Sequence, residues 1–212
     1  MSELSEVKFS SITAKSNYEK LGNFVVIDTE TTGLSSSKNE IIEVAAIYFE
    51  DWTPKSKFET LIKPQKDISN EITSLTSITM DMVENAPSIS EVIPSLLEYI
   101  GKNNIVGHNL YFDMKFLYHN GLDFLFQKHK YYDTLELAQK VLKKQKKKWD
   151  KESECYEFDY DSDYDVEDYK LTTLCEYYNI RDNSGAHRAA SDCLATGLLF
   201  QNLVKEKVEI YS

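Results

Sequence analysis

The chain has 212 residues, 42% of them apolar, and a formal net charge of −11. That length suits one domain with a sizeable core rather than two, and no run approaches the 18 apolar residues that a membrane-spanning helix needs. So acidic a chain also fits poorly with a nucleic-acid binder that relies on lysine and arginine, so any such binding must lean on divalent cations or a partner protein.

Met1 to Asn23 is polar and mixed in charge, with neither the apolar run of a signal peptide nor the arginine bias of a transit peptide. Residues 1–22 therefore read as a polar extension of a cytoplasmic protein. Cys155, Cys175 and Cys193 are odd in number and widely spaced, which fits reduced thiols better than a disulfide framework or a metal clip.

Phe24 to Asp28 is a short run rich in β-branched residues and reads as a buried strand, with a turn at Thr32-Gly33. Ile41 to Phe49 and Lys57 to Ile62 read as two more strands of an antiparallel meander. Ser88 opens a helix towards Ile100, ended by Gly101. Asn104 to Gly107 is a strand, followed by a helix from about Phe112 to His119 that stops at Asn120-Gly121. Tyr131-Tyr132 is extended and feeds a helix from Asp133. Two further helices fit Leu171 to Tyr178 and Ala189 to Val204, the latter with Leu194, Leu198, Leu199 and Leu203 on one face. Early strands followed by alternating helices and strands predict an α/β sandwich around a mixed sheet.

Between Lys143 and Tyr169, six lysines give way to ten acidic residues, with few aliphatics. The segment reads as a solvated or disordered insertion. Its lysine run could grip a nucleic-acid strand, but a solvated continuation of the preceding helix is the favoured expectation. A calcium loop beginning at Asp159 would need glycine at Tyr164 and glutamate at Lys170, so that reading fails.

Three clusters can carry chemistry. Asp28 and Glu30 lie two apart at a strand end, so they point to one face, and paired carboxylates there favour Mg²⁺ or Mn²⁺; a solvated strand end competes evenly. Gly107-His108-Asn109 ends a strand and Asp113 sits in the first turn of the next helix, where the helix dipole alone justifies an acid. His187-Arg188-Ala189-Ala190-Ser191-Asp192 opens the last helix, with small residues Ala186, Ala189 and Ala190 that allow close approach. A lone histidine is by itself a surface or satisfied core residue, and a lone helix aspartate a solvated one.

Taken together, the three clusters resemble the DEDD exonuclease superfamily in its histidine-bearing, DnaQ-like branch, whose archetype is the epsilon proofreading subunit of bacterial DNA polymerase III. The first motif matches Asp28, Glu30, Thr32 and Gly33, the second Gly107-His108-Asn109 with Asp113, and the third His187, Ala189 and Asp192. Ile41 to Val44 and the stretch Ile78 to Val83 with Ala86-Pro87 are also similar to the family. The likeness runs from about Asn23 to Leu203.

The resemblance implies a ribonuclease H-like five-stranded mixed sheet flanked by helices, within an exonuclease domain over 23–206 that carries the 143–169 insertion and precedes a tail at 207–212. It implies two divalent cations, Mg²⁺ or Mn²⁺, about 3.5–4 Å apart, on Asp28, Glu30, Asp113 and Asp192, with His187 as general base. Thr31, Thr32, Leu34, His108, Asn109 and Phe112 would hold the terminal nucleotide. The expected reaction is 3′→5′ hydrolysis of a nucleic acid, favouring single-stranded DNA, with release of nucleoside 5′-monophosphates. An exoribonuclease is the alternative, and a non-catalytic polymerase-binding scaffold a third. A proofreading role calls for a polymerase on a separate chain.

Overall fold

The computed structural model describes residues 4, 7–13, 15–122, 129–150, 153–159, 161–180 and 188–209. Its centre is β1 (Phe24–Thr31), whose apolar residues are buried on both faces, as a strand covered from two sides must be. It pairs antiparallel with β2 (Ile41–Glu50), which pairs antiparallel with β3 (Thr53–Leu61). On its other side β1 runs parallel to β4 (Asn104–Gly107), and β4 parallel to β5 (Tyr131–Asp133). The five-stranded order is β3-β2-β1-β4-β5, the mixed α/β sheet that the sequence predicts.

Two helical layers cover the sheet. One is built from α3 (Ile89–Ile100) and α4 (Leu110–His119), packed on Val25, Ile27, Val44 and Ile105. The other contains α5 (Thr134–Val141), α6 (Leu171–Tyr177) and α7 (Ala189–Glu209), packed on Phe24, Val26, Ala45 and Phe49. Alternation along β1 therefore assigns even-numbered residues to the α7 face and odd-numbered ones to the α4 face. Helix α3 starts in a capping box, in which Glu91 accepts from the Ser88 backbone N–H at 2.8 Å.

Several elements depart from expectation. Helix α4 begins at Leu110, because Asn109 takes the left-handed conformation as its cap. Short helices α1 (Asn70–Thr76) and α2 (Met80–Val83) were not legible; four to seven residues give periodicity too little to register. Leu194 is 40% exposed and lies off the packed face of α7. That face carries small residues instead, above all Gly197, where an added Cβ would come within 2.2 Å of the Phe49 ring. The helix sits against the sheet only because nothing projects there.

The insertion is neither helix nor formless. β6 (Lys147–Asp150) and β7 (Cys155–Phe158) pair antiparallel in a separate two-stranded sheet, and Val166 beyond them is buried in the core. In the N-terminal segment, Ser10 donates its N–H to the Tyr131 carbonyl at 2.7 Å and Phe9 makes a parallel bridge to Tyr131, so this stretch lines the β5 edge. The three cysteines form no disulfide. Among the described residues no helix is long and apolar enough to cross a membrane.

Candidate active site

Asp28 and Glu30 are even-numbered, so they emerge from β1 on the face where α7 begins, and there they meet Asp192 of its first turn. Carboxylate oxygens of the three lie within 4.8 Å of one another, and each residue stays partly open to solvent. Asp113 arrives from the opposite layer. Its Oδ1 accepts from the Thr29 N–H at 3.0 Å and the Thr29 hydroxyl at 2.7 Å, which ties α4 to β1 between the two acidic residues.

Like charges crowded in a partly dry site disfavour ionisation. Burial pushes Glu30 up to about 8, with repulsion from Asp192, Glu43 and Asp113 adding to it. Asp28 is raised well above the ordinary carboxylate range by burial and by Asp113, Asp192, Glu30 and Glu43. Asp113 is pushed up to about 7 by burial, against the pull of its two Thr29 hydrogen bonds. A set of hard oxygen donors in this state suits a small divalent cation, which would neutralise the cluster.

Two acidic residues to which the sequence analysis gives no role organise this site. Glu43 is fully buried in β2, opposite Glu30 in the ladder. It accepts from Arg188 Nε at 3.0 and 3.1 Å, from Arg188 Nη2, and from the Ala189 N–H at 3.0 Å. It thereby anchors the first turn of α7 and so the approach of Asp192. A lone glutamate inside an apolar strand was the signal, since a buried charge needs a partner. Asp133 caps α5 through the Leu135 N–H and also accepts from the Asn109 and Leu110 N–H groups at 2.9 and 3.0 Å, fixing the start of α4. Cys193 fills the space behind Asp28, its thiol donating towards the Val26 and Ala45 carbonyls.

The expected nucleotide-holding residues flank the acids of the first two motifs in sequence. The Thr31 hydroxyl donates to the Gly33 carbonyl at 2.7 Å, and Thr32 exchanges hydrogen bonds with Glu40, closing the loop on which Leu34 stands 84% exposed. His108 is held down at about 4 by burial, its Nδ1 within 2.9 Å of the Thr134 hydroxyl. Phe112 packs on Phe116 with ring centres 5.0 Å apart. His187 lies outside the described residues.

Comparison with known proteins adds an independent line. The RNase T exonuclease family model matches residues 25–200. DNA polymerase III subunit epsilon of Aquifex aeolicus is 34% identical over 189 residues, which are 87% of this chain and 82% of that protein. The PolC-type DNA polymerase III of Caldanaerobacter subterraneus subsp. tengcongensis is 34% identical over 200 residues, 94% of this chain and 13% of that protein. The chain thus spans only a small fraction of such PolC-type relatives. In fold, it superposes on exonuclease X in complex with a 5′-overhanging duplex DNA with a TM-score of 0.61 at 24% identity, covering 89% of this chain and 99% of that one. It superposes on E. coli exonuclease I in complex with a dT13 oligonucleotide with a TM-score of 0.68 at 18% identity, covering 90% and 42%.

Proposed function

Because the chain belongs to the RNase T exonuclease family, we propose that it is a 3′→5′ exonuclease that hydrolyses DNA from the 3′ end and releases nucleoside 5′-monophosphates. The observation that carries this reading is the convergence of Asp28, Glu30 and Asp192 from two separate elements onto one small space. Four acids drawn together at the cost of their own ionisation have no structural use without a cation.

Asp28, Glu30, Asp113 and Asp192 would hold two divalent cations, Mg²⁺ or Mn²⁺. When bound, these supply Lewis acidity and positive charge at the scissile phosphate, which also answers the mismatch between an acidic chain and a polyanionic substrate. His187 takes the proton of the attacking water, a task suited to an imidazole near neutral pH. Glu43 fixes Arg188, the residue next to His187 in the chain. Thr31, Thr32, Leu34, Asn109 and Phe112 hold the terminal nucleotide. His108, neutral at working pH, lines the site without adding a charge to it.

Relatives named DNA polymerase III PolC-type and DNA polymerase III subunit epsilon favour DNA over RNA and a proofreading type of work beside a polymerase. The test is a time course on matched 5′-labelled single-stranded DNA and RNA with Mg²⁺, Mn²⁺ or EDTA. A metal-dependent ladder shrinking from the 3′ end, faster on DNA, is expected. A faster RNA ladder overturns the substrate, and no ladder on either overturns the activity.

A further inference from the structure

The second half of the loop joining β1 to β2, the chain that follows β3 and the near ends of α3 and α4 enclose a polar groove of about 470 Å³. That is room for a nucleotide unit rather than for a water. Its lining includes Lys38, Glu40, Ile41, Lys63, Lys66 and His119.

The charge of this lining runs against that of the chain, with three lysines to one glutamate in a protein of net charge −11. The Glu40 carboxylate is turned onto backbone, accepting from the Gln65 and Lys66 N–H groups at 2.9 and 3.1 Å. Asp67 and Glu91 are near in sequence but outside the lining, and Glu91 is held at the Ser88 cap. Elsewhere lysines are committed to carboxylates, Lys57 to Glu59, Lys140 to Glu136, Lys143 to Asp163 and Lys148 to Asp159. Among the described residues no carboxylate pairs with Lys38, Lys63 or Lys66, all of them exposed. The Lys66 ammonium reaches the Lys38 carbonyl at 3.5 Å, which draws two of the three together. Uncommitted cations lining a concave surface attract an anion.

The groove shares a wall with the loop of Thr31, Thr32 and Leu34, which begins one residue after Glu30. Ile41 of the lining pairs with Thr31 across the ladder. The Thr32 N–H donates to the Glu40 carbonyl at 2.9 Å, the Thr32 hydroxyl accepts from the Glu40 N–H at 3.0 Å, and Asn39 Nδ2 donates to the Thr32 carbonyl at 3.2 Å. The lysines and the first acidic motif are therefore tied to one another by backbone.

We propose that this groove takes the sugar-phosphate backbone of the substrate strand upstream of its 3′-terminal nucleotide, with Lys38, Lys63 and Lys66 meeting its phosphates. The loop then has the terminal nucleotide on one side and the strand leading to it on the other. Lysines meet phosphate as mobile point charges and read no base, which suits removal of whatever nucleotide stands at the end. The inference rests on the reading of the site given above.

The test uses the full chain and two substrates, a 5′-fluorescein oligothymidylate and the para-nitrophenyl ester of thymidine 5′-monophosphate, which is too short to reach the groove. In a chain carrying Lys38→Gln, Lys63→Gln and Lys66→Gln, KM for the oligonucleotide should rise about tenfold at low salt, and the slope of log KM against log salt should fall by about 2. The kcat and ester hydrolysis should stay unchanged, and arginine at the three positions should restore KM. A control chain of equal charge carries Lys20→Gln, Lys102→Gln and Lys130→Gln, which precede β1, β4 and β5 at the sheet end away from the acids; it should keep the wild-type KM. Anisotropy of the labelled oligonucleotide in EDTA should follow the same order. Affinity unchanged in the groove variant, or weakened equally in the control, overturns the proposal and leaves the lysines to an acidic protein segment or to no ligand. Relief of inhibition by thymidine 5′-monophosphate with oligonucleotide KM unchanged also overturns it, assigning the groove to the released nucleotide. A wild type inert on both substrates, whose oligonucleotide affinity is nevertheless lost in the groove variant alone, keeps the groove and overturns the hydrolytic reading instead.

Discussion

At the end of β1, burial and mutual repulsion push Glu30 up to about 8 and Asp113 up to about 7. In the β6–β7 segment, the same kind of side chain behaves in the opposite way: hydrogen bonds from Lys148 and Lys143 hold Asp159 and Asp163 below the ordinary carboxylate range. That segment is richer in acids, yet Asp159, Asp161 and Asp163 have each found a lysine in water. In the site, the nearby cation, Arg188, is committed to Glu43. The number of charges in a stretch of sequence therefore says little about function. What matters is whether the fold dries them out and leaves their neutralisation to something from outside.

The sharpest way to break this contrast is to remove one acid from the site. Asp28→Asn should abolish exonuclease activity, reducing it to background in the labelled-oligonucleotide assay, while raising the melting temperature of the metal-free protein because a source of repulsion is gone. Activity retained by this variant would place the cation elsewhere. His187→Ala should slow turnover by roughly 10²–10⁴-fold and leave divalent-cation affinity near the wild-type value; single-turnover rates and calorimetry separate the two effects.

A third prediction concerns pH. A carboxyl group raised in the folded state keeps protons that the unfolded chain has already lost. The stability it contributes is thus fully present below the ordinary carboxylate value and is lost as pH rises through about 7 for Asp113 and about 8 for Glu30. Melting of the metal-free protein should accordingly fall between about pH 5 and 8, and added Mg²⁺ should flatten the slope; a flat metal-free profile would contradict the crowding. The smallest effect belongs to the hairpin, where the Lys143–Asp163 pair is fully exposed. Asp163→Asn should leave melting unchanged at physiological salt, because exposed pairs contribute little.

The same contrast explains what the sequence made legible. β1, β2 and α3 announce themselves because burial on a regular period leaves a regular pattern, and the alternation along β1 puts Asp28 and Glu30 on one face. Partners that depend on long-range packing were not visible. Glu43 lies 145 residues from Arg188, and Asp133 reads simply as a helix start although it also holds the beginning of α4. The face of α7 was legible in Leu199 and Leu203, which are buried in the core, and misled at Leu194 for a physical reason: a helix pressed close to a sheet presents Ala189, Cys193 and Gly197 there, so a search for leucines extends to Leu194 in solvent. The hairpin escaped because four-residue strands show too little alternation beneath a dominant charge pattern.

If the crowded acids exist to bind cations, a calorimetric titration of Mn²⁺ into the metal-free wild type and Asp28→Asn proteins will show it. Saturable binding by the wild type is expected, with an affinity that rises as the carboxylates ionise with pH, and loss of that binding in the variant. Indistinguishable titrations, or no binding above the heat of dilution in either protein, would contradict it.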